Sequence, residues 1–250
     1  MRADVWRVVC NAFGTILITI LTYFLYQSNP RKAFFKGFFV DFKRPAIKLC
    51  AIVTALTAPI WALGFTLNRL FAQALFHFFE LSVSSPIPQG QSTTVLVAGF
   101  VAAILIAPLF EEILFRGILM RQFSKKHSAC AAIVGSALIF ALVHPWQSML
   151  YPLVFGLFTA VVVYKTDNLA YGVLLHVLCN AISLGFEYYE RFSAPLPLLE
   201  TVAAVIAALF VLICGIYAAL RPKLLAPLKE AFGAIFISVP FLFLLLFFAA

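Results

Sequence analysis

Six polar side chains stand within otherwise apolar stretches of this chain: Glu111, Glu112, Arg116, His144, His176 and Asn180. Carboxylates and imidazoles move protons, and imidazole and amide N–H groups stabilise a developing oxyanion. Glu112 and Arg116 lie four residues apart with the acid first, the favourable order for an ion pair along a helix. Glu111 points about 100° away around the same helix. One carboxylate can then be neutralised by Arg116 while the other faces elsewhere as a candidate general base. His176 and Asn180 are also four apart and share a face, where both can donate to an oxyanion. Phe140 precedes His144 by one turn and can support its ring. Any one of these residues could be a packing hydrogen bond only. Six of them within 70 residues, from Glu111 to Asn180, exceed what helix packing explains.

The elements that must position them are membrane helices. The chain has 250 residues, 64% hydrophobic and 11% charged, against roughly 45–50% apolar and about 25% charged in soluble domains. That balance excludes a water-facing globule, a disordered chain and, with five scattered cysteines and no Cys-x-x-Cys pair, a disulfide scaffold. Eight apolar runs cover roughly 8–26, 49–70, 93–120, 129–147, 149–164, 169–186, 198–220 and 231–250. The expected fold is all-α: one polytopic bundle over 1–250, of about eight transmembrane helices around a polar intramembrane cavity. The first run is too long for a signal-peptide core and lacks a small-residue cleavage site, so it is expected to be retained. Residues 71–80 either extend the second helix or lie along the interface.

A net charge of +8 does not point to nucleic acid, because no basic stripe interleaves with aromatics. Thirteen of the 18 Lys and Arg residues fall in loops 27–48, 121–128, 165–168 and 221–230, and only Arg2, Arg7 and Arg191 on the alternate side. This split assigns those four loops to the cytoplasmic side and both termini to the outside. Bilayer insertion of an Asp or Lys costs about 2.5–3.5 kcal/mol, so a charge inside a span is a functional candidate. In straight helices His144 falls nearer the outer side than Glu111 and His176. Tilt or a kink at Pro108 must bring them together, with Pro145 ending the His144 segment.

The three segments Glu111-Glu112-Ile113-Leu114-Phe115-Arg116-Gly117, Phe140-Ala141-Leu142-Val143-His144 and His176-Val177-Leu178-Cys179-Asn180 resemble the signatures of the CAAX prenyl protease and bacteriocin-processing family, also called the Abi family. Its pattern is Glu-Glu-x-x-x-Arg, Phe-x-x-x-His and His-x-x-x-Asn, each on its own membrane helix. The resemblance covers residues 95–185, the expected catalytic core. It implies a membrane-embedded endopeptidase without a cofactor, acting on a peptide or lipidated protein in prenyl processing, bacterial peptide or membrane-protein processing, or bacteriocin self-immunity; the short basic loops point to a bacterial plasma membrane. By the same resemblance Glu111 activates water and His144 orients it or shares its proton. His176 and Asn180 hold the oxyanion, while Glu112 and Arg116 order the motif; the choice between the two glutamates stays open.

Other chemistries use the same residues. Glu111, His144 and His176 could furnish three zinc ligands with an open fourth position, although the His-Glu-x-x-His signature is missing. A proton-coupled transporter also buries Glu and His, and a non-catalytic immunity or scaffold protein is a third class. Ser136 has no evident base, Asp4, Asp41 and Asp167 lie at termini or loops, and Cys179 reads as a small buried hydrophobe.

Overall fold

The computed structural model describes residues 42–80, 93–192 and 197–219. All regular structure in these residues is helical. Six helices follow one another: α1 Ile47–Phe79, α2 over 93–124, α3 Ala129–Leu142, α4 Leu150–Thr166, α5 Leu169–Phe192 and α6 Pro197–Ala219. They correspond to the second through seventh expected spans; the first and eighth lie outside the described residues. Residues 71–79 continue α1, which ends where Glu80 turns left-handed at φ 56°.

Three helical stretches are long and apolar enough to cross a membrane: Ile47–Phe79, Val97–Ser124 and Leu169–Glu190. Ala129–Leu142 and Leu150–Thr166 are shorter apolar helices. The expected run 129–147 is shortened to Ala129–Leu142, while 149–164 agrees with α4 within two residues. At 1.5 Å per residue, the 14 residues of α3 reach about 21 Å, short of the roughly 30 Å hydrocarbon core. Local chemistry sets both ends of α3. Ser128 caps it by accepting from the Ala131 N–H at 3.3 Å, and Pro145 disfavours helical backbone at the residue before it. A single 3₁₀ turn, Trp146–Ser148, then leads into α4.

Helix α2 is not a uniform α-helix. Two π segments, Ala102–Ile106 and Ile113–Met120, flank the α-helical Ala107–Glu112. Pro108 accounts for a distortion upstream, since its ring clashes with the carbonyl four residues back. The wider turn Ala102–Ile106 lies on the upstream side of Pro108, where such a distortion is expected.

Helices α3 and α4 pack as a close pair, α1 packs on α4, α5 and α6, and α5 packs on α2. Small residues allow the close approach, as in membrane bundles generally. Ala132, Ser136 and Ala137 on α3 and Thr159 and Ala160 on α4 are fully buried. A Cβ at Gly156 would meet the Ala137 Cα at 3.4 Å. Aromatic rings fill the interior on the α1 side, with Trp61 stacked on Phe65 at 4.9 Å and Phe65 edge-on to Phe186 at 4.9 Å. The Trp61 indole donates to Ser183 Oγ at 3.0 Å, and Ser183 donates to Tyr151 Oη at 3.0 Å, joining α1, α5 and α4.

The two ends of the bundle are held by charge. At one end Asp167 pairs with Lys43 and with Arg121 (3.1 Å), while Asn168 exchanges hydrogen bonds with the Lys43 backbone. Three of the four loops that the basic-residue count assigns to one side thus share an end; 221–230 lies outside the described residues. At the other end Arg69, about 33 Å along α1 from Ile47, pairs with Glu200 and approaches Glu190 at 3.8 Å.

The hydrogen bond from Lys43 holds the Asp167 carboxylate below its ordinary range, with the charges of Arg121 and Lys43 acting the same way. A carboxylate depressed in the folded state stabilises the fold above its unfolded value and loses that contribution as pH falls through the folded one. Asp167→Asn keeps a side chain that tolerates the left-handed φ of 48°. We expect Asp167→Asn to unfold at a lower temperature than the parent at pH 7. The gap should close as pH falls below about 4. A gap of the same size at pH 3 would show that charge is not its source.

Candidate active site

All three motifs converge between α2, α5 and the C-terminal end of α3. Glu112 is the centre, with its side chain wholly inaccessible to water. Its Oε1 accepts from Arg116 Nη1 at 3.1 Å and from His176 Nδ1 at 2.9 Å. The expected ion pair along the helix therefore forms, and it has a third member from α5. Arg116, also fully buried, donates through Nη2 to the Gly156 carbonyl at 3.1 Å and lies 4.5 Å over the Phe140 ring. A paired charge in a low-dielectric interior needs such partners, and here the enclosure is partial, since Glu112 Oε2 and Arg116 Nε are buried without one among the described residues.

Glu111 differs from its neighbour in accessibility. Its side chain is 20% exposed, and Oε2 lies 3.7 Å from His176 Nε2. The 100° turn between adjacent helical residues has placed one carboxylate in the interior and left the other partly exposed. His176 sits between them, 4% exposed, with Nδ1 on Glu112 and Nε2 toward Glu111. Because Glu112 Oε1 also accepts from Arg116, the carboxylate is the acceptor and His176 Nδ1 carries the hydrogen. The His176 ring is fixed further by Phe155, 4.4 Å between centroids, and by Phe140 at 5.8 Å.

His144 lies two residues beyond the end of α3, at the helix terminus that Pro145 was expected to impose. Its Nδ1 is 2.7 Å from the Phe140 carbonyl. A carbonyl only accepts, so Nδ1 carries the hydrogen and Nε2 is left as the second ring nitrogen. The ring packs on Phe140 at 4.6 Å, as the one-turn spacing implied. Phe140 thus touches His144, His176 and Arg116 with one ring. The opposed depths expected for His144 and Glu111 disappear. Glu111 lies 13 residues before the end of α2, about 20 Å, and α3 covers about 21 Å from the same turn.

Asn180 is brought to α2 as well, but its Nδ2 donates to the backbone carbonyl of Ala103 at 2.8 Å. His77 and His127 stay away from the cluster, each beside a neighbouring phenylalanine. Ser136 donates to the Ile133 carbonyl, and Cys179 is fully buried. Among the described residues no three His, Cys, Asp or Glu side chains are arranged to hold a metal ion, and Glu111, His144 and His176 as placed make no such set.

Sequence reasoning missed Phe155, Gly156 and Gly172. Gly156 offers the carbonyl that Arg116 needs. A Cβ at Gly172 would stand 3.0 Å from Glu112 Oε2 and 2.6 Å from Val163 Cγ2. Glycines facing a buried charge were the available signal, readable only once the helix faces are known.

We expect Arg116→Met, which leaves Glu112 buried without its cation, to cost about 3–5 kcal/mol in detergent unfolding. Adding Glu112→Gln should recover part of that loss. Strictly additive effects would show that the two side chains do not act as a unit.

Residues 93–182 match the family model described as Type II CAAX prenyl endopeptidase Rce1-like, and the matched segment contains all six site residues. No curated protein and no solved structure matches the chain.

Proposed function

We propose, from the premise that this chain carries an Rce1-like domain at residues 93–182, that it is a membrane-embedded endopeptidase in which Glu111 activates water. The observation that carries the assignment is the contrast between the two carboxylates. Glu111 is 20% exposed, whereas Glu112 is inaccessible and already accepts two hydrogen bonds on Oε1.

The reaction follows from these positions. Glu111 takes a proton from water, and the resulting hydroxide adds to the scissile carbonyl carbon. His176, oriented by Glu112, donates from Nε2 to the tetrahedral oxyanion, for which the ring must carry both protons. The C–N bond then breaks, and the proton on Glu111 passes to the leaving amine. His144, whose Nε2 is not used by the Phe140 carbonyl, orients the water or shares its proton. Asn180 has one of its two amide hydrogens on Ala103, and His176 is assigned as the oxyanion donor on the Glu111 side. The substrate class is a peptide or lipidated protein presented at the bilayer, in a multi-pass membrane protein of a bacterial plasma membrane.

Glu111→Gln should lower kcat/KM for a farnesylated C-terminal peptide by at least about 10²–10⁴-fold, with detergent unfolding close to the parent. His144→Ala and His176→Ala should also lose cleavage. Full activity in Glu111→Gln would reject Glu111 as the base. Chelation by 1,10-phenanthroline should leave the rate unchanged; loss restored by Zn²⁺ would reassign the chemistry to a metal. Proton uptake into sealed vesicles without peptide cleavage would point to a transporter instead.

A further inference from the structure

The hydrogen-bond register of α2 leaves the Ala103 carbonyl without a helical donor. In a regular α-helix the Ala103 carbonyl would accept from the Ala107 N–H, four residues on. Here the Ala107 N–H donates to Ala102, five residues back, because Ala102–Ile106 is a π segment. In that wider register the donor for Ala103 is residue 108, and residue 108 is proline, which has no N–H. Both backbone routes to the Ala103 carbonyl are closed. The atom that fills the gap is Asn180 Nδ2, at 2.8 Å from α5.

We propose that Asn180 is a positioning residue whose amide supplies to the Ala103 carbonyl the hydrogen bond that Pro108 cannot. The geometry gives this bond a specific task. Pro108 is buried and begins the α-helical segment that ends in Glu111 and Glu112. Asn180 lies one turn beyond His176 on α5, so one face of α5 grips α2 at two places. His176 takes the Glu112 carboxylate, and Asn180 takes the carbonyl released upstream of Pro108. Together they fix how the Ala107–Glu112 segment is rotated, and that rotation decides which carboxylate is exposed. The inference deepens the proposed hydrolysis and rests on it only for the kinetic part of its test. In it Asn180 serves catalysis through Glu111 rather than by touching the reacting carbonyl.

A double-mutant cycle separates this role from oxyanion donation. The four forms are the full-length parent, Asn180→Ala, Pro108→Ala and the double variant, in detergent micelles. Asn180→Ala should lower the unfolding temperature, and Pro108→Ala, which restores an N–H in the right register, should raise it again in the Asn180→Ala background. In the parent, where the carbonyl is already satisfied, Pro108→Ala should give a clearly smaller rise or none. With the farnesylated peptide, Asn180→Ala should lower kcat by at least about 10-fold with KM little changed, and the double variant should recover most of it. If Asn180→Ala does not fold by itself, a folded double variant is the expected rescue, and a double variant that also fails to fold overturns the proposal. Equal shifts from Pro108→Ala in both backgrounds overturn it. So does a restored fold with kcat still about 10²–10³-fold down, the loss typical of a removed oxyanion donor. The unfolding cycle needs no substrate. Cleavage absent from all four forms would therefore reject the hydrolase reading while leaving the 108–180 linkage decided by temperature alone.

Discussion

A carboxylate with no access to water needs donors, and Glu112 draws two to its Oε1 while its Oε2 is buried without a hydrogen-bond partner among the described residues. Arg116 and His176 supply the donors, from α2 itself and from α5. Arg116 then creates demands of its own. Its second terminal nitrogen takes the Gly156 carbonyl, and its flat face lies against Phe140. These contacts bring α4 and α3 to the same point. Two glycines are the consequence: a side chain at Gly156 would press on the guanidinium, and one at Gly172 on the carboxylate. Small residues across the α3–α4 contact let backbones approach closely enough for a backbone carbonyl to reach the cation. The helix packing and the burial of this ion triad are therefore one problem with one solution.

The same constraint sets the register of α2 against α5. Asp167 meets Arg121 at the bundle end, and His176 meets Glu112 in the interior. Nine residues separate the two contacts along the chain on each side, with Asp167 two residues ahead of the first residue of α5. A slip of one residue at the exposed end would carry His176 around α5 by about 100° and off the carboxylate. The surface ion pair is weak by itself, as exposed pairs are. Its value is in fixing position for a buried contact whose loss would strand a charge.

Much of this was legible from residue types. Charge is scarce enough in the chain that Glu111, Glu112, Arg116, His144, His176 and Asn180 stood out, and all but Asn180 meet through Glu112, His176 or Phe140. The Glu112–Arg116 pair followed from spacing because it lies within one helix. The basic loops announced a shared end because charge distribution follows topology rather than packing. What was not legible depended on contacts between helices. Arg69 with Glu200 joins residues 131 positions apart, and Gly156 contributes a backbone atom that residue identity does not advertise. The short α3 was hidden for another reason. Apolar composition continues to Val143, and only Pro145 marks that the helix has ended before the run does.

Asn180 shows how a motif residue can hold a partner that its spacing does not suggest. Its spacing from His176 puts both on one face, and a shared face reads naturally as a shared ligand. Helical register adds a constraint that spacing alone does not contain: a proline removes a donor, and a π turn moves the acceptor that needed it. The side chain nearest that acceptor is then held by backbone chemistry before any substrate arrives. Exposure sorts the remaining residues in the same way. Glu112 and Arg116 are sealed and can act only by holding others in place, whereas Glu111 keeps a carboxylate at the surface of the cluster. A polar residue inside a membrane helix thus marks the neighbourhood of chemistry. Under the proposed hydrolysis, exposure separates the carboxylate that meets the substrate from the one that holds His176.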